Sequence, residues 1–173
     1  TFDGPNAGSI AFIQQASSNN QSLTMGTVNL AKNTVVDMIG SGNLSISSAH
    51  TGSGNLVKEN TGGTLILSGN SASYAGNIFV NAGTLQANSA NALGNTTGTT
   101  TVADGATLAL SGTITSAENI AVAGAGVSGA GALQGVSGTS TLSGTVTLAG
   151  ATTVGATTGN TLALGAIGGA GQN

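Results

Sequence analysis

The sequence predicts an all-β chain wound as a parallel β-helix, or β-solenoid, with about seven or eight coils if each takes roughly 20 to 25 residues. Three observations lead there. Apolar residues recur two apart in short phrases, which buries one face of a strand and leaves the other in water. Gly, Asn, Ser and Ala punctuate those phrases, and Gly and Asn tolerate the positive φ of tight turns. Aromatic residues make up 2% of the chain and charged residues 4%. A wide core would therefore lack large side chains to fill it, whereas stacked Leu, Val and Ile fill a narrow one.

In chain order, residues 1–22 stand apart. They hold the one Pro (Pro5), two of the three Phe (Phe2 and Phe12) and the polar run 14–22. They are expected to cap or join the first coil, because an end coil exposes unpaired backbone groups. Solenoid repeats are expected over residues 23–173, weakly at first and strongly beyond Gly62. The clearest phrase is Gly63-Thr64-Leu65-Ile66-Leu67-Ser68-Gly69. It returns as Ala106-Thr107-Leu108-Ala109-Leu110-Ser111-Gly112 and as Asn160-Thr161-Leu162-Ala163-Leu164-Gly165, with fragments at 83–86 and 140–144. The pairs Ile78/Val80, Ile120/Val122 and Val146/Leu148 alternate in the same way.

Helix is a poor alternative. Interior Gly costs a helix roughly 1 kcal/mol per position, no stretch sustains an i, i+3, i+4 stripe, and the Ala/Asn-rich run 87–93 is too short to stand alone. A sandwich or barrel would accept the same strand spacing of about ten residues. Near-identical phrases, small corner residues and scarce aromatics favour the solenoid, a rod on the order of 35 Å long at about 4.8 Å per stacked strand. Outward Thr, Ser and Asn are expected to form ladders along its axis. The closing run 168–173 carries neither charge nor aromatic and resembles 51–55, so another unit is expected to follow it, in a longer polypeptide or in the next subunit. Thr1, Phe2 and Phe12 at one end and Gly171, Gln172 and Asn173 at the other are the candidate subunit-junction residues.

Composition excludes several functions. Lys32 and Lys58 are the only Lys or Arg residues, too few to neutralise a nucleic-acid backbone. There is no Cys for a disulfide scaffold, a lack that fits an oxidising exterior. A net charge of −3 and mean hydropathy of +0.27 disfavour disorder. No apolar run approaches the roughly 20 residues of a membrane helix, so membrane insertion by this segment is not expected. Thr1, with no secretory signal pattern after it, reads as the start of a processed or excised segment.

The stretch Gly62-Gly63-Thr64-Leu65-Ile66-Leu67-Ser68-Gly69-Asn70, followed by Tyr74-Ala75-Gly76 and Val80-Asn81-Ala82-Gly83-Thr84-Leu85-Gln86, resembles the autotransporter-associated β-strand repeat of bacterial passenger regions. Asn91-Ala92-Leu93-Gly94 with Gly105-Ala106-Thr107-Leu108, and the run 131–139, continue the likeness, which extends over about residues 40–173. Such repeats are similar to right-handed parallel β-helices. The resemblance implies a right-handed coil, a location outside the bacterial cell or on its surface, and roles in adhesion, display or scaffolding. The family's C-terminal membrane barrel has no counterpart in this sequence, so self-translocation is not implied. Phe79 stands where the repeat more commonly has a small polar residue, which marks a packing contact.

Little in the sequence can build a catalytic constellation. The carboxylates Asp3, Asp37, Glu59, Asp104 and Glu118 form no close sequence pair. Asp37 and Glu59 could converge across coils for acid–base chemistry, although two solvated turn carboxylates are the expected reading. His50, the only His, reads as a turn residue, since a metal site needs several ligands and a supporting shell. Gly-rich runs such as 124–131 lack the regular Asp of calcium-binding β-helix repeats. The match of Gly124-Ala125-Gly126-Val127-Ser128-Gly129 to a dinucleotide fingerprint has no helix after it. Lys58-Glu59 should face opposite sides of a strand and reads as a solubilising edge feature. Tyr74 and Phe79 are candidate surface contacts if exposed and fillers of a wider coil if buried, the second being preferred. The triplets at Asn20, Asn43 and Asn95 are as many glycosylation patterns as chance gives.

No catalytic residue, metal or cofactor is therefore expected. The expected function is structural: an extracellular solenoid serving as stalk, adhesin segment or self-assembling fibre. Its partners would be adjacent repeats of a longer chain or further copies stacked end to end. A ligand-binding adhesin segment recognising glycan or host protein is the alternative, and a polysaccharide-processing β-helix enzyme comes third.

Overall fold

The structure, a computed structural model, describes residues 11–169. The chain winds as stacked parallel coils with three walls. The first wall is an eight-stranded sheet of Ala11–Gln15, Thr34–Met38, Leu56–Glu59, Ile78–Val80, Thr99–Val102, Asn119–Gly124, Val146–Thr152 and Ile167–Gly168. The second wall has seven strands: Gln21–Leu23, Leu44–Ile46, Leu65–Leu67, Thr84–Ala87, Thr107–Ser111, Leu133–Ser137 and Val154–Ala156. A discontinuous third wall joins Thr27–Asn29 to Ala49–Thr51, and further along Thr115–Ser116, Thr139–Leu142 and Thr161–Leu164. Between these two pieces the chain turns a looser corner, marked by a single bridge between Gly52 and Tyr74. All named strand pairs in the three walls are parallel, as the repeated phrases require. Among the described residues the sole helical element is a 3-10 turn, Val127–Gly129.

Register fixes the coil length. Ala11 pairs with Thr34, Thr34 with Leu56, Leu56 with Ile78 and Ile78 with Thr100, so the early coils advance by 23 and then 22 residues. Later coils range from 20 residues (Thr100 to Ile120) to 26 (Ile120 to Val146). The alternation seen in the sequence becomes columns of side chains running along the axis. Leu56, Ile78, Thr100, Ile120 and Val146 stack inward on the first wall, and Leu44, Leu65, Leu85, Leu108 and Leu133 on the second. Nearly all of these apolar residues are buried. At roughly 1.5–3 kcal/mol for each fully buried aliphatic side chain, these columns dominate the favourable terms.

A polar ladder sets the register at the entry to the first wall. The backbone N–H of Asn55 donates to Asn33 Oδ1 at 3.0 Å, that of Asn77 to Asn55 Oδ1 at 3.2 Å, and that of Thr99 to Asn77 Oδ1 at 3.1 Å. At the entry to the second wall, Asn43 N–H donates to Asn20 Oδ1 at 2.9 Å and Thr64 N–H to Asn43 Oδ1 at 2.8 Å. The ladders expected from Asn are thus real, but each side chain grips the backbone of the next coil. The residue before each rung is crowded. A Cβ on Gly76 would stand 2.2 Å from Gly54 O, and one on Gly54 would stand 2.2 Å from Lys32 O. Only Gly lets the coils close to strand spacing there.

One boundary read from the sequence is corrected. The solenoid does not begin at Leu23: Ala11–Gln15 pairs with Thr34–Met38 and Gln21–Leu23 with Leu44–Ile46, so residues 11–22 already belong to the first coil. Their polar composition is accommodated because Gln15, although buried, donates to Asn19 O at 3.0 Å and accepts the Ser17 N–H at 2.7 Å. The three Thr-Leu-x-Leu phrases fall on two different walls. Leu65/Leu67 and Leu108/Leu110 lie on the second wall, while Leu162/Leu164 lies on the third, in register with Ser140 and Leu142.

Replacing Asn77 by Ala should cost about 1–2 kcal/mol, because the Thr99 N–H loses its partner. Gly76→Ala should cost more, toward about 3 kcal/mol, since the new methyl forces successive coils apart. Denaturant melts of the two variants beside the wild-type chain measure both, and equal effects would contradict this account of the ladder.

Candidate functional site

The outer face of the first wall gathers the side chains with chemical potential. Asp37 and Glu59 are direct register partners on adjacent strands, so the convergence the sequence allowed takes place. Neither is a bare turn carboxylate. Gln14 Nε2 donates to Asp37 Oδ2 at 3.2 Å, the Asn60 amide donates to Asp37 Oδ1, and Asn81 Nδ2 donates to Glu59 Oε1 at 2.7 Å. Asn60 adopts a left-handed conformation, φ 63°, and so brings its amide back over the sheet. Two residues earlier on the same strands runs a second outward column, Phe12, Val35, Val57 and Phe79. Phe12 is 65% exposed and the other three are half-buried against one another. Beyond Phe79 the column continues as Thr101, Ala121 and Thr147.

Lys58 is turned the other way. It occupies the inward column between Val36 and Val80 and is fully buried, so it is not the solubilising edge feature expected from its charge. Its opposition to Glu59 across the strand is as the alternation requires. Lys58 Nζ donates to the backbone oxygens of Asn60 at 2.6 Å, Ala82 at 3.0 Å and Glu59 at 3.3 Å. Burial pushes its ammonium down to about 8, opposed by the nearby carboxylates of Glu59 and Asp37.

A second interior cluster lies at the looser corner. His50 is on a third-wall strand and buried, not in a turn. Ser71 Oγ accepts the His50 backbone N–H at 3.1 Å and lies 2.7 Å from His50 Nδ1. Ser71 Oγ and His50 Nδ1 thus share a hydrogen bond, and Nε2 has no partner. Burial pushes the imidazole down to about 4. Tyr74 packs edge-on against this ring with centroids 4.8 Å apart, and its hydroxyl donates toward Gly54 O at 2.8 Å and Asn77 O at 3.1 Å. Tyr74 is completely buried and is not a surface contact. At this corner the third wall is interrupted, and the ring fills the space that a strand would take. Phe79 does lie on the outer face. This Ser–His contact is sealed inside the solenoid, so it serves packing.

Glu118 replaces Gly in the crowded column before the ladder, where neighbouring coils have Gly98 and Gly144. It is buried, with Oε1 accepting from Thr100 Oγ1 at 3.4 Å and Oε2 unpartnered. Burial raises its carboxyl to about 7, with the Thr100 bond a smaller opposing influence. Among the described residues no three of His, Cys, Asp and Glu converge as metal ligands. The Gly-rich run 124–129 forms the 3-10 turn and leads into the strand Leu133–Ser137, not into a helix. Of the junction residues read from the sequence, Thr1, Phe2, Gly171, Gln172 and Asn173 lie outside the described residues.

With this geometry in place, the family of passenger-associated-transport-repeats provides a match over residues 56–87. That stretch holds one complete coil and the first two strands of the next, and it includes Lys58, Glu59, Tyr74, Phe79 and Asn81. The match agrees with the resemblance to autotransporter passenger repeats carried by the sequence. No curated protein and no solved structure matches the chain.

The buried acid and imidazole give opposite pH dependences. Glu118 rises from 4.5 to about 7 on folding, so its contribution to stability is fully present below pH 4.5 and is lost as the pH climbs through 7. His50 falls from 6.5 to about 4, so its contribution is present above pH 6.5 and is lost as the pH drops through 4. Glu118→Gln should abolish the first effect alone. Relative to its own value at pH 4, the variant should gain on the order of 2–3 kcal/mol over wild type by pH 8. Denaturant melts at several pH values test this, and parallel pH profiles for the two proteins would refute the assignment.

Proposed function

We propose that this chain is a structural segment of a secreted or surface-displayed bacterial protein, a solenoid that lengthens by stacking coil upon coil. The solenoid fold and the passenger-repeat match support that class. The finer reading, a stalk or fibre built by end-to-end stacking, rests on one observation. At the C-terminal end of the described solenoid the inward columns run out uncovered: Ile167, which continues the column above Val146, is 59% exposed, Val154 is 40% exposed, and Leu162 and Leu164 are half-buried. One further coil in the same register would bury these side chains, each worth up to about 1.5–3 kcal/mol. It would also pair with the strand Ile167–Gly168, which among the described residues bonds on one side only.

In this reading the occupant of that end is another coil of the same kind. The sparsely charged surface does little to oppose such stacking. In this reading the segment is not an enzyme and needs no cofactor, and its work is to hold length and display its flanks.

Cryo-electron microscopy of the purified chain over a range of concentrations should show rods that lengthen into filaments. Ile167→Asp should return them to short, dispersed rods without lowering the melting temperature, because it puts a charge on the face that must become dry. Dispersed rods at every concentration for both proteins would rule out end-to-end assembly of this segment.

A further inference from the structure

We propose that the outer face of the first wall, over its first four coils, binds a polysaccharide of equatorially linked pyranoses that are neutral or carry amines, laid along the solenoid axis. This inference concerns the flank of the rod and does not depend on stacking at its ends. The face carries two adjacent columns of unlike chemistry. Phe12, Val35, Val57 and Phe79 form an apolar stripe that contributes nothing to the core, since alternation points it outward. Gln14, Asp37, Glu59 and Asn81 border it with amide donors and carboxylate acceptors already oriented by mutual hydrogen bonds. The corresponding outward column of the second wall, Ser22, Ser45, Ile66 and Gln86, offers neither a continuous apolar stripe nor a carboxylate.

Three physical features select the occupant. A pyranose presents an apolar C–H face and a rim of hydroxyls that both donate and accept, which matches the stripe and its border. Successive coils are ~4.8 Å apart, close to the advance per sugar of an extended, equatorially linked chain, whereas an extended peptide repeats its same-face side chains only every ~7 Å. Charge decides the rest. Asp37 and Glu59 are like charges in direct register, an arrangement that destabilises a sheet unless something compensates it; Lys58 lies near enough to feel both carboxylates but faces inward and donates to three backbone oxygens, so it bonds neither of them on the outer face. An acidic glycan would be repelled, a neutral one accepted, and an amine-bearing one attracted. A second copy of this chain, with only Lys32 and Lys58 as fixed cations, has little to offer the two carboxylates.

The test titrates the full chain calorimetrically with β-1,4-linked oligomers of glucose, N-acetylglucosamine, glucosamine and mannuronate. Saturable binding of glucosamine oligomers, with weaker binding of the neutral ones and none of mannuronate, is expected. Phe79→Thr, which installs the residue found at this position in the next coil, should weaken binding about tenfold, as loss of one stacked ring would. The pair Asp37→Asn and Glu59→Gln should cost the glucosamine oligomer more than the neutral ones, while Gln86→Ala on the second wall should change nothing. Circular dichroism melts confirm that each variant is folded. The proposal is overturned by the absence of binding to the folded chain, by a preference for mannuronate, or by affinities indifferent to the first-wall substitutions. It is also overturned if sedimentation shows a lateral dimer that Phe79→Thr dissolves, which would make the stripe a contact between copies.

Discussion

Successive coils must close to a strand spacing of ~4.8 Å all the way round, and most features of this chain answer to that constraint. Strands meet it readily, because parallel pairing sets the distance. Corners do not, since a side chain there collides with the carbonyl of the coil below. Gly at positions such as Gly54 and Gly76 removes the collision, and the Asn that follows converts the same proximity into a hydrogen bond from side chain to neighbouring backbone. The Gly-Asn dipeptide is therefore the joint of the solenoid. The entropy that Gly forfeits on ordering is offset at these corners by a close approach of coils that a Cβ at Gly54 or Gly76 would block.

A narrow coil also limits what an irregular position can be. Lys58 displaces Val from an inward column, Glu118 displaces Gly from a corner, and His50 packs against Tyr74 where the third wall loosens. Each is handled differently. Lys58 is long enough to reach three carbonyls, so its cost is reduced by charge-assisted bonds that tie one coil's turn to the next. Tyr74 sends its hydroxyl to two backbone oxygens and its ring to fill volume. His50 and Glu118 each keep one unpartnered polar atom, which burial renders neutral more easily than charged. Chemistry that would look catalytic on an open surface is here absorbed into packing.

Much of the fold was legible because it depends on alternation, which sequence states directly: Ile78/Val80, Ile120/Val122 and Val146/Leu148 all point inward on the first wall as their spacing required. Less legible was which wall a phrase belongs to. Thr161-Leu162-Ala163-Leu164 looks like Thr107-Leu108-Ala109-Leu110 but sits on another wall, because coil length varies from 20 to 26 residues and identity of phrase does not carry register. The candidate site was half visible. Asp37 and Glu59 were named as able to converge, and one coil length between them brings them side by side. The apolar column beside them was not recognised, since Val35 adjoins Val36 and Val57 adjoins Leu56, and only register decides which of two adjacent apolar residues faces out. Lys58 was misread because charge argued for exposure, and its alignment with Val36 and Val80 was the signal that could have corrected it.

The stacking direction also determines how the rod responds to load. Hydrogen bonds between coils run along the axis, so a pull on the two ends opposes them one layer at a time instead of shearing a whole sheet at once. Each layer that gives way frees a coil of 20 to 26 residues, roughly 70–90 Å of chain, in exchange for a single ~4.8 Å step of the rod. A rod built in this way would yield in a staircase of small extensions, dissipating work at each step while the remaining layers stay intact, and it would behave as a shock absorber more than as a stiff rod.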